Sequence, residues 1–127
     1  MSVQAVVQAA MVAALDGLDV TGVFDAPPVR AALPYAVIEE AVLADWSTKD
    51  MDGREGRLAV TLYDGGERPV RLRVLAGAAE DAVSAMPRVL GEGWRVASLV
   101  FVRGRIVREG VRWVAMSEWR VRVLREG

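Results

Sequence analysis

Three prolines, Pro27, Pro28 and Pro34, fall within eight residues of this chain, and nothing else in it restricts the fold as strongly. Each fixes its own φ, removes a backbone donor and pushes the preceding residue out of the helical region, so no helix can run through residues 24–34. Tyr35-Ala36-Val37-Ile38 follows, apolar on both parities, until Glu39-Glu40 breaks the pattern. That pattern predicts a central strand over residues 35–43, buried on both faces. Residues 45–56 are then acidic and glycine-containing, which predicts a long loop carrying two apolar side chains, Trp46 and Met51. Loops of this kind bind more often than they merely connect, which makes Asp45, Trp46, Lys49 and Met51 candidate interface residues.

On either side of this stretch the periodicities are plain. Ser2 can cap a helix whose apolar positions Val3, Val7, Ala10, Met11, Ala14, Leu15 and Leu18 follow helical spacing. At roughly 15 residues it is shorter than the roughly 20 a bilayer span needs, Gln4 and Gln8 interrupt it, and no basic residue precedes it. The expectation is a buried helix in a cytosolic protein, with no membrane partner. A short strand is expected at residues 23–25. Leu58, Val60 and Leu62 alternate with Arg57, Ala59 and Thr61 as a half-buried strand, antiparallel to its predecessor. Pro69 suits the first turn of a second helix with Leu72, Leu75, Ala79, Val83 and Met86 on one side, ended by Pro87. Residues 94–107 predict a strand kinked at Gly104, with Trp94, Val96, Val100 and Val102 on one parity and Leu99 and Phe101 on the other. After the turn at Glu109-Gly110, residues 111–124 return with Trp113, Ala115, Trp119, Val121 and Val123 on one face. The sum is a single domain, residues 1–127, of α+β class: a mainly antiparallel sheet of four to five strands with two helices packed on it.

The composition excludes much chemistry. With no cysteine and no histidine, disulfides, thiol chemistry, Cys/His zinc sites and the usual proton shuttle are gone. Glu39 and Glu40 are adjacent, so in a strand they point to opposite faces and cannot act as a carboxylate pair. Asp45, Asp50 and Asp52 lack the ligand spacing of a calcium loop. Gly65-Gly66 and Gly91-Glu92-Gly93 do not extend to a phosphate-cradling motif, and Ser47-Thr48 has no base beside it. No catalytic residue, metal ligand or cofactor is therefore assigned, and the chain is not read as an enzyme. A net charge of -1 gives no support to bulk attraction to nucleic acid or an anionic membrane. Hydrophobic residues at 53% without glycine predict that more surface is buried than one domain core requires. Arg120 and Arg122, with the other arginines of the last third, oppose an acidic first half, and a subunit interface using that contrast is expected there.

The order of Asp25-Ala26-Pro27-Pro28, Leu33-Pro34-Tyr35 and Asp45-Trp46-Ser47-Thr48-Lys49 resembles the tail completion (tail terminator) proteins of long-tailed phages, particularly the version in gene transfer agents. The resemblance spans nearly the whole chain. Glu39 departs from it, standing where a glycine often follows the central strand. What the resemblance implies is a structural virion protein, made in the host cytoplasm and then placed in the tail at the head-tail junction. It would form a homo-oligomeric ring, usually a hexamer, that caps the head-proximal end of the tail tube, stops its growth and joins tail to head. Its partners would be further copies of itself, the tail tube protein and the head-tail connector protein, with DNA passing through the lumen without sequence-specific binding. Two other classes stay open on the residues alone: a small ligand-binding domain with a cleft around Asp45, Arg57 and Tyr63, and a nucleic-acid-binding domain.

Overall fold

The structure, a computed structural model, describes residues 1–126. Ser2 caps the first helix as its position suggests: the Ala5 N–H donates to Ser2 Oγ (3.1 Å), and α1 runs over Val3–Ala14. The remaining elements are β1 (Val23–Phe24), β2 (Tyr35–Ile38), β3 (Val42–Asp45), β4 (Met51–Asp64), α2 (Val70–Ser84), β5 (Trp94–Glu109) and β6 (Arg112–Glu126). The strands form one sheet in the order β1-β2-β4-β6-β5, antiparallel except for β1 with β2, and β3 pairs with β4 off that path. The class is therefore α+β as expected, with six strands where four or five were anticipated.

Two expectations about the middle of the chain are corrected. The strand read over residues 35–43 is interrupted: from Ile38 to Val42 the chain takes four steps while β4 takes three, from Val60 to Arg57. The extra residue makes a bulge, so β2 and β3 run end to end along one edge of β4 while β6 takes the whole of its other edge. Backbone groups freed there are met by α1: the Ala41 N–H donates to Gln8 Oε1 (3.2 Å), and Gln4 Nε2 donates to the Ala41 carbonyl. Nor are residues 45–56 a loop. Met51 already begins β4, and β3 and β4 form a hairpin whose connection is residues 46–50. Gly53 and Gly56 make this pairing possible, since a Cβ would stand 2.3 Å from the Trp46 carbonyl oxygen in one case and 1.7 Å from that of Val42 in the other.

Both helices lie on one face of the sheet. Leu58, Val60 and Leu62 from β4 and Trp119, Val121 and Val123 from β6 pack there against Val7, Met11 and Leu15 of α1 and its end, and against Leu72, Leu75, Ala79 and Val83 of α2. Burial of these side chains, each about 1.5–3 kcal/mol, supplies the main driving force. Strand β5 departs from its predicted parity. Register shifts between Val96 and Ser98 and between Phe101 and Arg103 turn Leu99 and Phe101 toward the helices along with Trp94 and Val96, and leave Val100 and Val102 exposed. The kink expected at Gly104 is thus a pair of bulges, the nearer of them at Val102. Gly110, at φ +64°, makes the turn into β6.

Candidate assembly interface

The sheet face away from the helices divides in two. Toward β2 it buries itself: Tyr35 and Tyr63 stack at 4.9 Å, Arg112 lies 4.4 Å over the Tyr63 ring, and Val37, Ala59, Thr61 and Val114 are covered between them without any helix above. Toward the β3–β4 hairpin it is an array of charges on adjacent strands. Arg57 of β4 stands opposite Arg120 of β6, which stands opposite Val100 of β5, while Val42 of β3 completes the row. Like charges directly opposed in a ladder are unfavourable. Two residues further along β6, Glu118 accepts from Arg57 Nε (2.5 Å) and from Arg103 Nε. These two guanidinium groups hold the Glu118 carboxyl below its ordinary range, Arg103 contributing most. Both arginines donate through Nε, and both side chains are exposed. An open hollow of about 410 Å³ lies here, lined by Arg57, Arg103, Arg105, Met116, Ser117 and Glu118. Among the described residues neither Arg105 nor Arg120 has an ion-pair partner.

The hairpin connection is ordered by its own polar side chains. Ser47 Oγ donates to Asp45 Oδ1 (2.6 Å) and accepts from the Gly53 N–H (3.0 Å), and Thr48 Oγ1 accepts from the Met51 N–H (3.2 Å). The Ser47 hydroxyl is also the main reason the Asp45 carboxyl lies below its usual range. Of the six residues singled out in the sequence, the structure joins two directly: the Arg122 guanidinium lies 4.8 Å over the Trp46 ring and pairs with Glu55 (3.2 Å). Trp46 is half-buried by this stack, whereas Asp45 pairs with Arg54 (3.5 Å). Lys49 is exposed at the tip, and Met51 is half-buried at the start of β4 beside Glu126. Arg120 lies apart from them, one row in from Arg122 toward Glu118.

The charge contrast read along the chain is partly neutralised within the sheet. Asp52 pairs with Arg125 (2.9 Å) and Glu55 with Arg122, because β4 and β6 are matched antiparallel over their full lengths. Glu39 and Glu40 do face opposite ways: Glu39 accepts from Thr61 (3.1 Å) and Glu40 from Gln4 of α1 (3.0 Å). The cleft considered around Asp45, Arg57 and Tyr63 does not form. Asp45 is opposite Arg54, and from Arg54 to Tyr63 the strand extends roughly 30 Å, so the three cannot converge. No three acidic side chains gather to hold a metal ion among the described residues, and no described helix is long and apolar enough to cross a membrane. The Glu118 clamp was missed in the sequence. Its only trace there is the alternation Glu118, Arg120, Arg122 on the face opposite the tryptophans.

A family model described as "Tail completion protein gp17" matches residues 3–124, from the first turn of α1 to two residues short of the end of β6. The chain belongs to that tail completion protein family. It is thus a structural tail protein, and the proline and tryptophan motifs that suggested this lie inside the matched span. The fold of this tail completion protein is also that of a chain in a solved structure, the virion of a native gene transfer agent (GTA) particle. The two are 23% identical, with a TM-score of 0.71, over 97% of this chain and 98% of that one. No curated protein sequence matches it.

Proposed function

We propose that this tail protein closes into a ring, read as six copies, on the head-proximal end of the tail tube, ends tube growth and presents a surface to the head connector. DNA then passes through the ring without being read. Membership of the tail completion family over residues 3–124 carries this reading. It is supported by a sheet face on which Val42, Val100 and Val102 are exposed beside Arg105 and Arg120, which have no ion-pair partner among the described residues. Contiguous exposed apolar patches mark interaction sites, and arginine is enriched at protein interfaces. The hairpin tip, with Trp46, Lys49 and Met51, is the part we assign to contact with the tube or a neighbouring copy, and Arg120 is assigned to subunit contact. No reaction is involved, since the work is done by interfaces.

The test is assembly in the absence of the chain. Particles lacking it, viewed by electron microscopy, are expected to show tail tubes of uncontrolled length and heads without tails, and added protein should restore tails of one length. Tubes of normal length that attach normally to heads would sink the proposal.

A further inference from the structure

The bulge between β2 and β3 leaves one donor without a partner. Because the Ala41 N–H donates to Gln8 Oε1, the amide of Gln8 is fixed in orientation and its Nε2 is the group left over. Gln8 is 8% exposed, and Nε2 has no hydrogen-bond acceptor among the described residues. A buried amide donor in this state is costly and calls for an acceptor. Gln8 lines a hollow of about 350 Å³ along the outer side of α1, walled by Ala5 and Ala9 and rimmed by Gln4, Asp25 and Glu40. Both carboxylates are exposed, and neither has an ion-pair partner among the described residues.

An occupant that satisfies this hollow must bring a cation for the two carboxylates and a carbonyl for Gln8 Nε2, and must be slim enough to lie against alanines. An arginine carried on an extended backbone has all three. The same chain offers one at its opposite edge. Arg105 of β5 is exposed, has no ion pair among the described residues, and borders hollows on both faces of the sheet, the second shared with Arg73 of α2. The strand order puts Asp25 and Glu40 by the β1, β2 and β3 edge and Arg105 on the far edge. A contact between unlike edges is heterologous, and repeats head to tail until it closes.

We propose that the α1 hollow receives Arg105 of a second copy, its guanidinium between Asp25 and Glu40 and a backbone carbonyl of the incoming β5 edge on Gln8 Nε2. This rests on the ring reading above and supplies its subunit contact. All three charged residues are exposed, so reversing them leaves the core untouched. Arg105→Glu presents an acid to an acidic hollow, and the pair Asp25→Arg with Glu40→Arg presents a base to a basic one. Each variant, by native mass spectrometry and sedimentation at low salt, is expected to dissociate with a constant raised about tenfold or more. Mixed in equal amounts the two variants should assemble again, in alternation, because every contact is then complementary. Should Arg105→Glu fail to fold, Arg105→Gln removes the charge alone and is expected to weaken assembly to a lesser degree. Wild-type oligomers that persist unchanged in both variants overturn the α1 contact and leave the ring standing. A wild-type chain monomeric at high concentration overturns the contact as well, while the ring reading stands or falls on the tail-assembly experiment above.

Discussion

Along β6, neighbouring residues face two sides that are held in different ways. Trp119, Val121 and Val123 lie under the helices at no more than 1% exposure, with the Trp119 ring 5.7 Å from Phe101 and its Nε1 directed at Ser84 Oγ (3.4 Å). Glu118, Arg120 and Arg122 alternate with them on the other face, in ion pairs that are mostly open to water or in none at all. Burial is worth kilocalories per side chain, whereas an exposed ion pair contributes about 0–1 kcal/mol. The helix side therefore holds the fold together. The arginine side, which even tolerates Arg57 opposite Arg120, is free to serve contacts outside the chain.

The largest effect expected is on the helix side. Trp119→Ala should lower stability by about 3–5 kcal/mol in denaturant unfolding, and a loss below about 1 kcal/mol would break the contrast between the faces. Next is Asp64 at the far end of β4, a carboxylate 3% exposed, which accepts from Arg71 Nε (2.9 Å), from its Nη2 (2.6 Å) and from the Gly65 N–H (2.8 Å). Asp64→Ala is expected to cost about 1–3 kcal/mol. Arg71 holds this carboxyl below its ordinary value, so its contribution is present above the unfolded value, about 3.9, and is lost as pH falls through the lower folded one. Unfolding followed from pH 5 down to pH 2 should then show a shallower decline in Asp64→Asn than in the wild type. Equal slopes would show that Asp64 titrates alike in the folded and unfolded chains.

Smaller effects test the arginine side. Trp46→Ala removes the stack with Arg122 and should cost about 0.5–1 kcal/mol while leaving a folded protein that caps tails poorly. Unfolding of that variant, read by circular dichroism, would make Trp46 part of the core and void its interface assignment. Smallest of all in stability is Arg120→Glu, expected within about 0.5 kcal/mol of the wild type because it replaces an unpaired charge that faces Arg57. Its effect should appear in ring formation instead. If tails form and terminate normally with Glu at this position, Arg120 faces solvent and the subunit contact lies elsewhere.

Several elements were legible from spacing. The Ser2 cap, the α2 stripe from Leu72 to Met86, the inward parity of Leu58, Val60 and Leu62 in β4 and the tryptophan face of β6 appear where local periodicity put them, whereas the other face of β4, read as half-exposed, is buried at Ala59 and Thr61. A helical stripe or a strand alternation is written in consecutive residues and needs no knowledge of its partner. The interface residues were read less well. Trp46 and Arg122 were both named, but not as a stacked pair, since they lie far apart in the chain and meet only through the β4–β6 pairing.

What the sequence determined by itself is the α+β class, both helices, the inward face of the central strands and, through the proline and tryptophan motifs, the tail completion family. Tertiary structure alone decided the rest: the bulges that turn Val100 and Val102 outward, the hairpin in place of a loop at residues 45–56, the partners of the carboxylates and the unpaired Gln8 amide. The physical reason is that a strand's side chains alternate whatever it pairs with, whereas a one-residue slip in pairing sends every later side chain to the other face. Register is set by distant residues. On register in turn depend which charges meet inside the chain and which remain for a partner.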